Sequence, residues 1–233
     1  MRTALAFLTR LPVPLPKDPD LSRAAWSFPL VGLLVGAAAA GTRAAADQGL
    51  PPLPATLLAI AVAVVITGAL HEDGLADIAD ATGAHVDRAR KLEILKDPRV
   101  GAFGATALIL AIALVATSVA ALDTTEAVKT LIVAHVLSRW AILPVGLLPP
   151  AKPGGAGSLL RVTTPPLAIA TLIAAAIAVA AGAWPALIAA PATVAAAALL
   201  LQRTLGGVTG DGYGATAKLT EIVVCITLVA FWG

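Results

Sequence analysis

The sequence predicts an all-α protein, a polytopic integral membrane helix bundle of about seven spans (six to eight) with a short amphipathic cytoplasmic helix. Three observations predict it. The chain is 58% hydrophobic and only 13% charged over 233 residues, whereas a soluble domain carries about 25% charged side chains. Its apolar residues fall into runs close to the length of a bilayer crossing, and its basic residues collect in alternate connections. With few aromatic residues for girdles and no ten-residue alternation, a lipid-embedded barrel is excluded, and the wealth of Ala and Gly suits closely packed transmembrane helices.

Taken in order, the apolar runs lie at approximately 26–42, 53–70, 102–122, 128–148, 165–183, 185–202 and 215–232. The first is the weakest. Pro29, Gly32, Gly36 and Gly41 leave it readable as a broken helix or as a re-entrant pair. The 165–202 stretch has room for two short antiparallel helices joined around Gly182-Ala183-Trp184-Pro185, with Pro185 suited to a first helical turn and Trp184 to a membrane interface. Ahead of the first run, Phe7-Leu8-Thr9-Arg10-Leu11-Pro12-Val13-Pro14 reads as a rigid segment lying along that interface. Met1-Arg2 begins as a signal peptide would, but residues 11–20 are proline-rich and charged, so the N-terminus is expected to be retained.

Charge tests the span count independently. With the N-terminus inside, thirteen Lys and Arg residues fall on the inner side against two, Arg43 and Lys129, on the outer side, a strong positive-inside bias. The expectation is one transmembrane domain over 1–233 in the cell inner membrane, multi-pass, its long polar segments and any active site facing the cytoplasm. Residues 71–100 form a cytoplasmic acidic and basic loop and 203–214 a cytoplasmic Gly-rich loop. Within 86–96, apolar residues at helical spacing alternate with Arg90, Lys91 and Glu93, which fits a short helix under the bundle. The breaker-rich loop at 149–164, including Pro153, is either a plain connector or a flexible cover over a site. No dense basic run suits nucleic acid, and Cys225, alone, rules out an intrachain disulfide. Small-residue faces within 171–198 could pack inside one bundle or between subunits of a homo-oligomer.

The chemistry gathers at His71-Glu72-Asp73-Gly74-Leu75-Ala76-Asp77-Ile78-Ala79-Asp80. Facing lipid, four carboxylates would cost on the order of 10 kcal/mol, so they must meet water, cations or protein. Asp73, Asp77 and Asp80 stand at i, i+4 and i+7, one face of a helix. Like charges so placed repel, and a hard divalent cation such as magnesium would relieve them. Glu72 points away from that face unless Gly74 breaks the turn; His71 could be a base or a phosphate-binding group. Lys91, Lys96 and Arg99 are candidates for phosphate oxygens, with Arg10 and Arg139 as further candidates; His135 and Arg139, four residues apart, share a helix face. In Gly206-Gly207-Val208-Thr209-Gly210-Asp211-Gly212-Tyr213-Gly214, Gly207 and Gly210 permit a tight turn whose amides could cradle an anion, and Asp211 offers another oxygen ligand. Glu221 lies deeper, three residues from Lys218, with which it could pair.

Four segments in order resemble the cobalamin synthase family, adenosylcobinamide-GDP ribazoletransferase: 7–14, the acidic block 71–80, Arg90 to Gly104 through Lys96-Asp97-Pro98-Arg99, and Gly206 to Ala215. Lys218 and Ala102 depart from the family's usual residues. The resemblance implies phosphoryl transfer. A hydroxyl of the α-ribazole ribose, or of α-ribazole 5'-phosphate, attacks a phosphorus of adenosylcobinamide-GDP and displaces GMP. On this reading magnesium sits on Glu72, Asp73, Asp77 and Asp211, the basic residues bind phosphate, Glu221 supports the site, and Asp77, Asp80 or His71 takes the proton. The rival classes are a secondary transporter or cation channel using intramembrane carboxylates, and a membrane transferase of another nucleotide-linked alcohol.

Overall fold

In a computed structural model the protein is helical throughout; residues 1–152, 154–158 and 160–233 are described, and Pro153 of the breaker-rich loop lies outside them. The helices are α1 (Arg2–Leu8), α2 (Leu21–Ala24), α3 (Phe28–Ala46), α4 (Pro52–Thr67), α5 (Leu70–Gly83), α6 (Arg88–Ile94), α7 (Ala102–Ala120), α8 (Thr124–Val145), α9 (Thr164–Ala180), α10 (Ala186–Leu205) and α11 (Gly210–Trp232). Among the described residues five stretches are long and apolar enough to cross a membrane, from Leu21–Ala46 to Gly210–Trp232, or six if the bent pair α4 and α5 is taken as one. α9 is a shorter apolar helix.

The seven apolar runs correspond to α3, α4 and α7 to α11, and side-chain contacts sort their ends into two sets. At one end, the Thr124 hydroxyl donates to Asp47 Oδ2 at 2.7 Å, and Trp184 meets Phe231 edge-on. At the other end gather the loops after Arg10, Thr67, Gly83, Val145 and Leu205, the same loops in which the sequence concentrates its acids and bases.

α3 is continuous from Phe28 to Ala46, so the first span is neither broken nor re-entrant. Its proline sits in the first turn, where no amide bond is lost. Its glycines serve close approach instead of a break: a Cβ at Gly32 would come within 2.9 Å of Val136 Cα, and one at Gly36 within 2.9 Å of Ile132 Cα. Small residues thus let α3 lie directly on the α8 backbone.

The break falls between α4 and α5, which meet at 90°. Gly68 and Ala69 both adopt left-handed conformations, with φ of 65° and 59°, and the Ala69 amide donates back to Val64 O at 3.1 Å. Glycine is at home there. Alanine is not, at roughly 1–2 kcal/mol for an L-residue; beside the corner the Arg10 amide donates to Ile66 O at 2.8 Å. The corner turns α5 across the end of the bundle, where it packs on α11 and α7.

Candidate active site

α5 remains helical through Gly74, and its periodicity divides the block as the i, i+4, i+7 spacing requires. His71, Gly74, Leu75 and Ile78 are buried; Asp73 is exposed, and Asp77 and Asp80 are half-buried. Gly74 sits where α5 crosses the start of α11: a Cβ there would lie 2.7 Å from Asp211 O and 3.0 Å from Gly214 Cα. This crossing brings residues 138 positions apart together, and Asp73 and Asp211 line one cavity of about 230 Å³. Phe7, Leu8, Leu70 and Ile142 give it apolar walls, and His71 and Tyr213 complete it. Asp77 belongs to the same field. Burial, then Asp211, Asp73 and Asp80, push its carboxyl up to about 6.

His71 is 3% exposed and its Nε2 has no hydrogen-bond partner. Burial, with the Arg139 charge second, holds the imidazole well below its ordinary range. Asp80 is engaged: its two oxygens accept from Gly101 N at 2.7 Å and Gly104 N at 2.8 Å. It therefore caps α7 across a gap of more than twenty residues, a charge-assisted contact to amides that the helix itself cannot satisfy.

Two predicted site residues are placed elsewhere. With no break at Gly74, Glu72 turns from the Asp73 face into the bundle, where Lys218 Nζ lies 3.0 Å from Glu72 Oε1 and 2.7 Å from Glu221 Oε1. Arg139 is 2% exposed and does not reach the cavity. Its Nη1 donates to Ser138 Oγ at 2.7 Å, meets His135 Nδ1 at 2.9 Å and lies 3.8 Å from Glu221 Oε2. Glu72, Glu221, Lys218 and Arg139 form a charge-balanced cluster joining α5, α8 and α11, and Glu221 lies in it.

Among the other candidates, Arg10 is exposed, two residues beyond the cavity wall at Leu8, and its amide donates to Ile66 O at 2.8 Å. Lys91 is half-buried on α6, and Lys96 is exposed. Arg99 is exposed and grips Asp97 through Nη2 at 2.6 Å, which pulls the Asp97 carboxyl down to about 2. Arg99 and Asp80 border a second, open hollow at the start of α7.

The Gly-rich loop is a turn pinned to its neighbours more than an open cradle. Val208 N donates to Pro149 O and Ala151 N to Val208 O, both at 2.9 Å, and a Cβ at Gly207 would lie 2.9 Å from Ala151 N. Thr209 caps α11 through Gly212 N at 3.0 Å, which leaves Gly210 and Asp211 at the cavity. The 149–152 stretch is thus tied down at Ala151, with Pro149, Pro150 and Lys152 exposed. Arg88, which sequence reasoning passed over, fastens it: Nε donates to Leu205 O at 2.6 Å and Nη2 to Ala151 O at 2.7 Å. Backbone carbonyls far along the chain leave no signature in sequence. Tyr213, likewise missed, donates to Gly157 O at 2.9 Å.

Among the described residues, no group of three or more His, Cys, Asp or Glu side chains forms a ready-made metal cage. The donor set at the cavity, carboxylates with no thiolate near, is that of a hard cation. Magnesium is commonly held by one or two carboxylates plus substrate phosphates, keeping several waters, and Asp73 and Asp211 fit that mode.

Comparison with known proteins bears on the whole chain. The cobalamin-5-phosphate synthase family (CobS) matches residues 1–229. The chain is 39% identical to an adenosylcobinamide-GDP ribazoletransferase of Bradyrhizobium diazoefficiens, covering 99% of this chain and 93% of the relative. It is 40% identical to one of Mesorhizobium japonicum, over 95% and 89%, and 39% identical to one of Pseudomonas paraeruginosa, over 97% and 95%. No solved structure matches. With its predicted motifs lying in one helical bundle and the match running nearly end to end, the chain belongs to the cobalamin-5-phosphate synthase family.

Proposed function

We propose that this protein joins adenosylcobinamide-GDP to α-ribazole with release of GMP, with α-ribazole 5'-phosphate as the physiological acceptor and adenosylcobalamin 5'-phosphate as the product. The observation that carries the reading is the meeting of Asp73 on α5 with Asp211 on α11 at one cavity, within a chain of this family. A ribose hydroxyl of the acceptor forms the new P–O bond to the cobinamide-linked phosphorus, and the bond to the bridging oxygen breaks as GMP leaves.

Asp73 and Asp211 would hold magnesium, with Asp77 beside them. Magnesium on a diphosphate neutralises its oxygens and stabilises the leaving phosphate. The chain's own residues do the rest. Asp80, bonded to Gly101 and Gly104, fixes the α5–α7 junction, so the hydroxyl proton falls to His71 or Asp77. Arg10 and Arg99 are exposed cations near the cavity and the hollow, suited to phosphate oxygens. Positive-inside charge orients the site to the cytoplasm of the cell inner membrane, N-terminus inside, where both water-soluble substrates are available.

The transporter or channel reading is not favoured. The buried charges pair with one another inside the bundle, where an ion path would need acids open to a cavity through several spans.

The test is turnover. Purified protein given adenosylcobinamide-GDP, α-ribazole 5'-phosphate and magnesium should release GMP in step with corrinoid product. Asp73→Asn and Asp211→Asn should each lower turnover by about 100-fold or more, in the range of a lost electrostatic contact to the transition state. No GMP under conditions where a relative turns over would overturn the reading.

A further inference from the structure

The segment between α5 and α7 carries five basic side chains, Arg88, Arg90, Lys91, Lys96 and Arg99, and rests lightly on the bundle. Every residue of α6 is at least partly exposed. A helix of seven residues does not hold itself together in water, where even about 12–15 are marginal, so its tethers decide where it lies. Leu92 and Leu95 pack partly against the core, and Asp87 caps the start through Arg90 N at 2.8 Å. The long-range bonds come from Arg88, whose Nε donates to Leu205 O at 2.6 Å and Nη2 to Ala151 O at 2.7 Å.

These two acceptors lie on different segments. Leu205 O is the last carbonyl of α10, where the helix has no amide left to meet it and its dipole favours a cation. Ala151 belongs to the stretch bonded to Val208. Nε and Nη2 share one edge of the planar guanidinium, two donors at fixed spacing that a lysine ammonium does not offer. Gly206 makes the room, since a Cβ there would lie 2.8 Å from Arg88 Cζ. One side chain thus joins α6, the end of α10 and the 149–152 stretch.

Arg88 also sets the rotation of α6. Arg88, Lys91, Leu92 and Leu95 stand at i, i+3, i+4 and i+7, one helical face. With the first of them held on α10, Lys91 turns inward and is half-buried, while Arg90 and Glu93 face water. Arg90 is engaged with Glu93 at 2.7 Å and Arg99 with Asp97 at 2.6 Å. Among the described residues Lys91 has no such carboxylate partner, which leaves its ammonium for an anion from outside the chain.

Resting on the reading above, we propose that Arg88 is a positioning residue: its fork docks α6 so that Lys91 is presented to a substrate phosphate. The donor's diphosphate and the acceptor's 5'-phosphate offer the same chemistry, anionic oxygens for an ammonium. Without the fork α6 undocks, and the phosphate loses a preformed cation while the rest of the site stands.

Hydrogen exchange and calorimetric binding on the full-length protein in detergent test this. Arg88→Ala should speed exchange of the amides of 89–95 about tenfold or more, the share of two charge-assisted bonds, while α8 and α11 keep their protection and Tm is unchanged. Affinity for a ligand that needs docked α6 falls with the docked population, so adenosylcobinamide-GDP or α-ribazole 5'-phosphate should bind about tenfold more weakly. Whichever weakens identifies the phosphate. α-Ribazole, which carries none, should move less than about twofold. Arg88→Lys keeps the charge without the fork and should stay at least about threefold below wild type, and methylguanidinium, unlike methylammonium, should restore binding to Arg88→Ala. Lys91→Ala should weaken the same ligand, and adding Arg88→Ala to it should weaken binding less than about twofold further. Unchanged exchange over 89–95, a loss of Tm and of protection in α8 and α11, equal weakening of α-ribazole, or additive losses in the double variant would overturn the assignment. Absence of turnover with these binding shifts intact would strike at the reaction and leave Arg88 its role.

Discussion

Asp77 is the side chain whose chemistry most directly reports a crowded acidic site. Its carboxyl is pushed up to about 6 by burial and by its acidic neighbours. Between the ordinary carboxylate range and about pH 6, the folded, cation-free protein holds a proton there that the unfolded chain has released. The contribution of Asp77 to stability therefore falls as pH rises through that window, while the buried His71 imidazole contributes with the opposite sign. Thermal unfolding in detergent with chelator should show the Tm of Asp77→Asn gaining on that of the wild type from about pH 4 to 6; identical slopes would refute the crowding. The i, i+4, i+7 spacing made this face legible from sequence, because one period dictates which side chains share a side. The same period argued Glu72 away from it, and only an imagined break at Gly74 could have brought Glu72 back. Arg139, expected to touch a phosphate or an acid of the cluster, lies beside the deeper Glu221, because a sequence shows that a cation lies in a span and not which carboxylate awaits it.

At the scale of elements, the site depends on how α5 is seated. Two contacts with α11 fix it, Gly74 against Gly214 and, one turn further along α11, Lys218 between Glu72 and Glu221. Gly74→Val should force the helices apart and lower turnover by at least tenfold while the protein still inserts; GMP release checks it, and unchanged turnover would remove the crossing from the account. Lys218→Met strands two buried carboxylates and should cost about 3–5 kcal/mol, read from thermal or chemical unfolding in detergent. A loss under about 1 kcal/mol would mean that the cluster is solvated. The runs of apolar residues located the seven long helices because hydropathy averages over a whole span. The 90° corner before α5 was not legible, since it is made by Gly68 together with Ala69, a residue whose sequence preference runs against a left-handed turn.

For the whole molecule, membrane insertion and catalysis share one polarity: the loops carrying acids and bases lie at the same end of the bundle. On the proposed orientation, set by the positive-inside rule, that end faces the cytoplasm. His85→Cys, in an exposed loop, should react with a membrane-impermeant maleimide only from the cytoplasmic side, with buried Cys225 silent; labelling in intact cells from outside would invert the topology. We propose that α5 and α11 jointly hold a hard cation through Asp73 and Asp211. Manganese, as a paramagnetic substitute for magnesium, tests it by titration of the purified protein in the presence of adenosylcobinamide-GDP, followed by electron paramagnetic resonance. The account predicts that Asp73→Asn and Asp211→Asn each weaken manganese binding at least tenfold, and that the double variant loses less than the product of the two. Wild-type affinity in both single variants would contradict it.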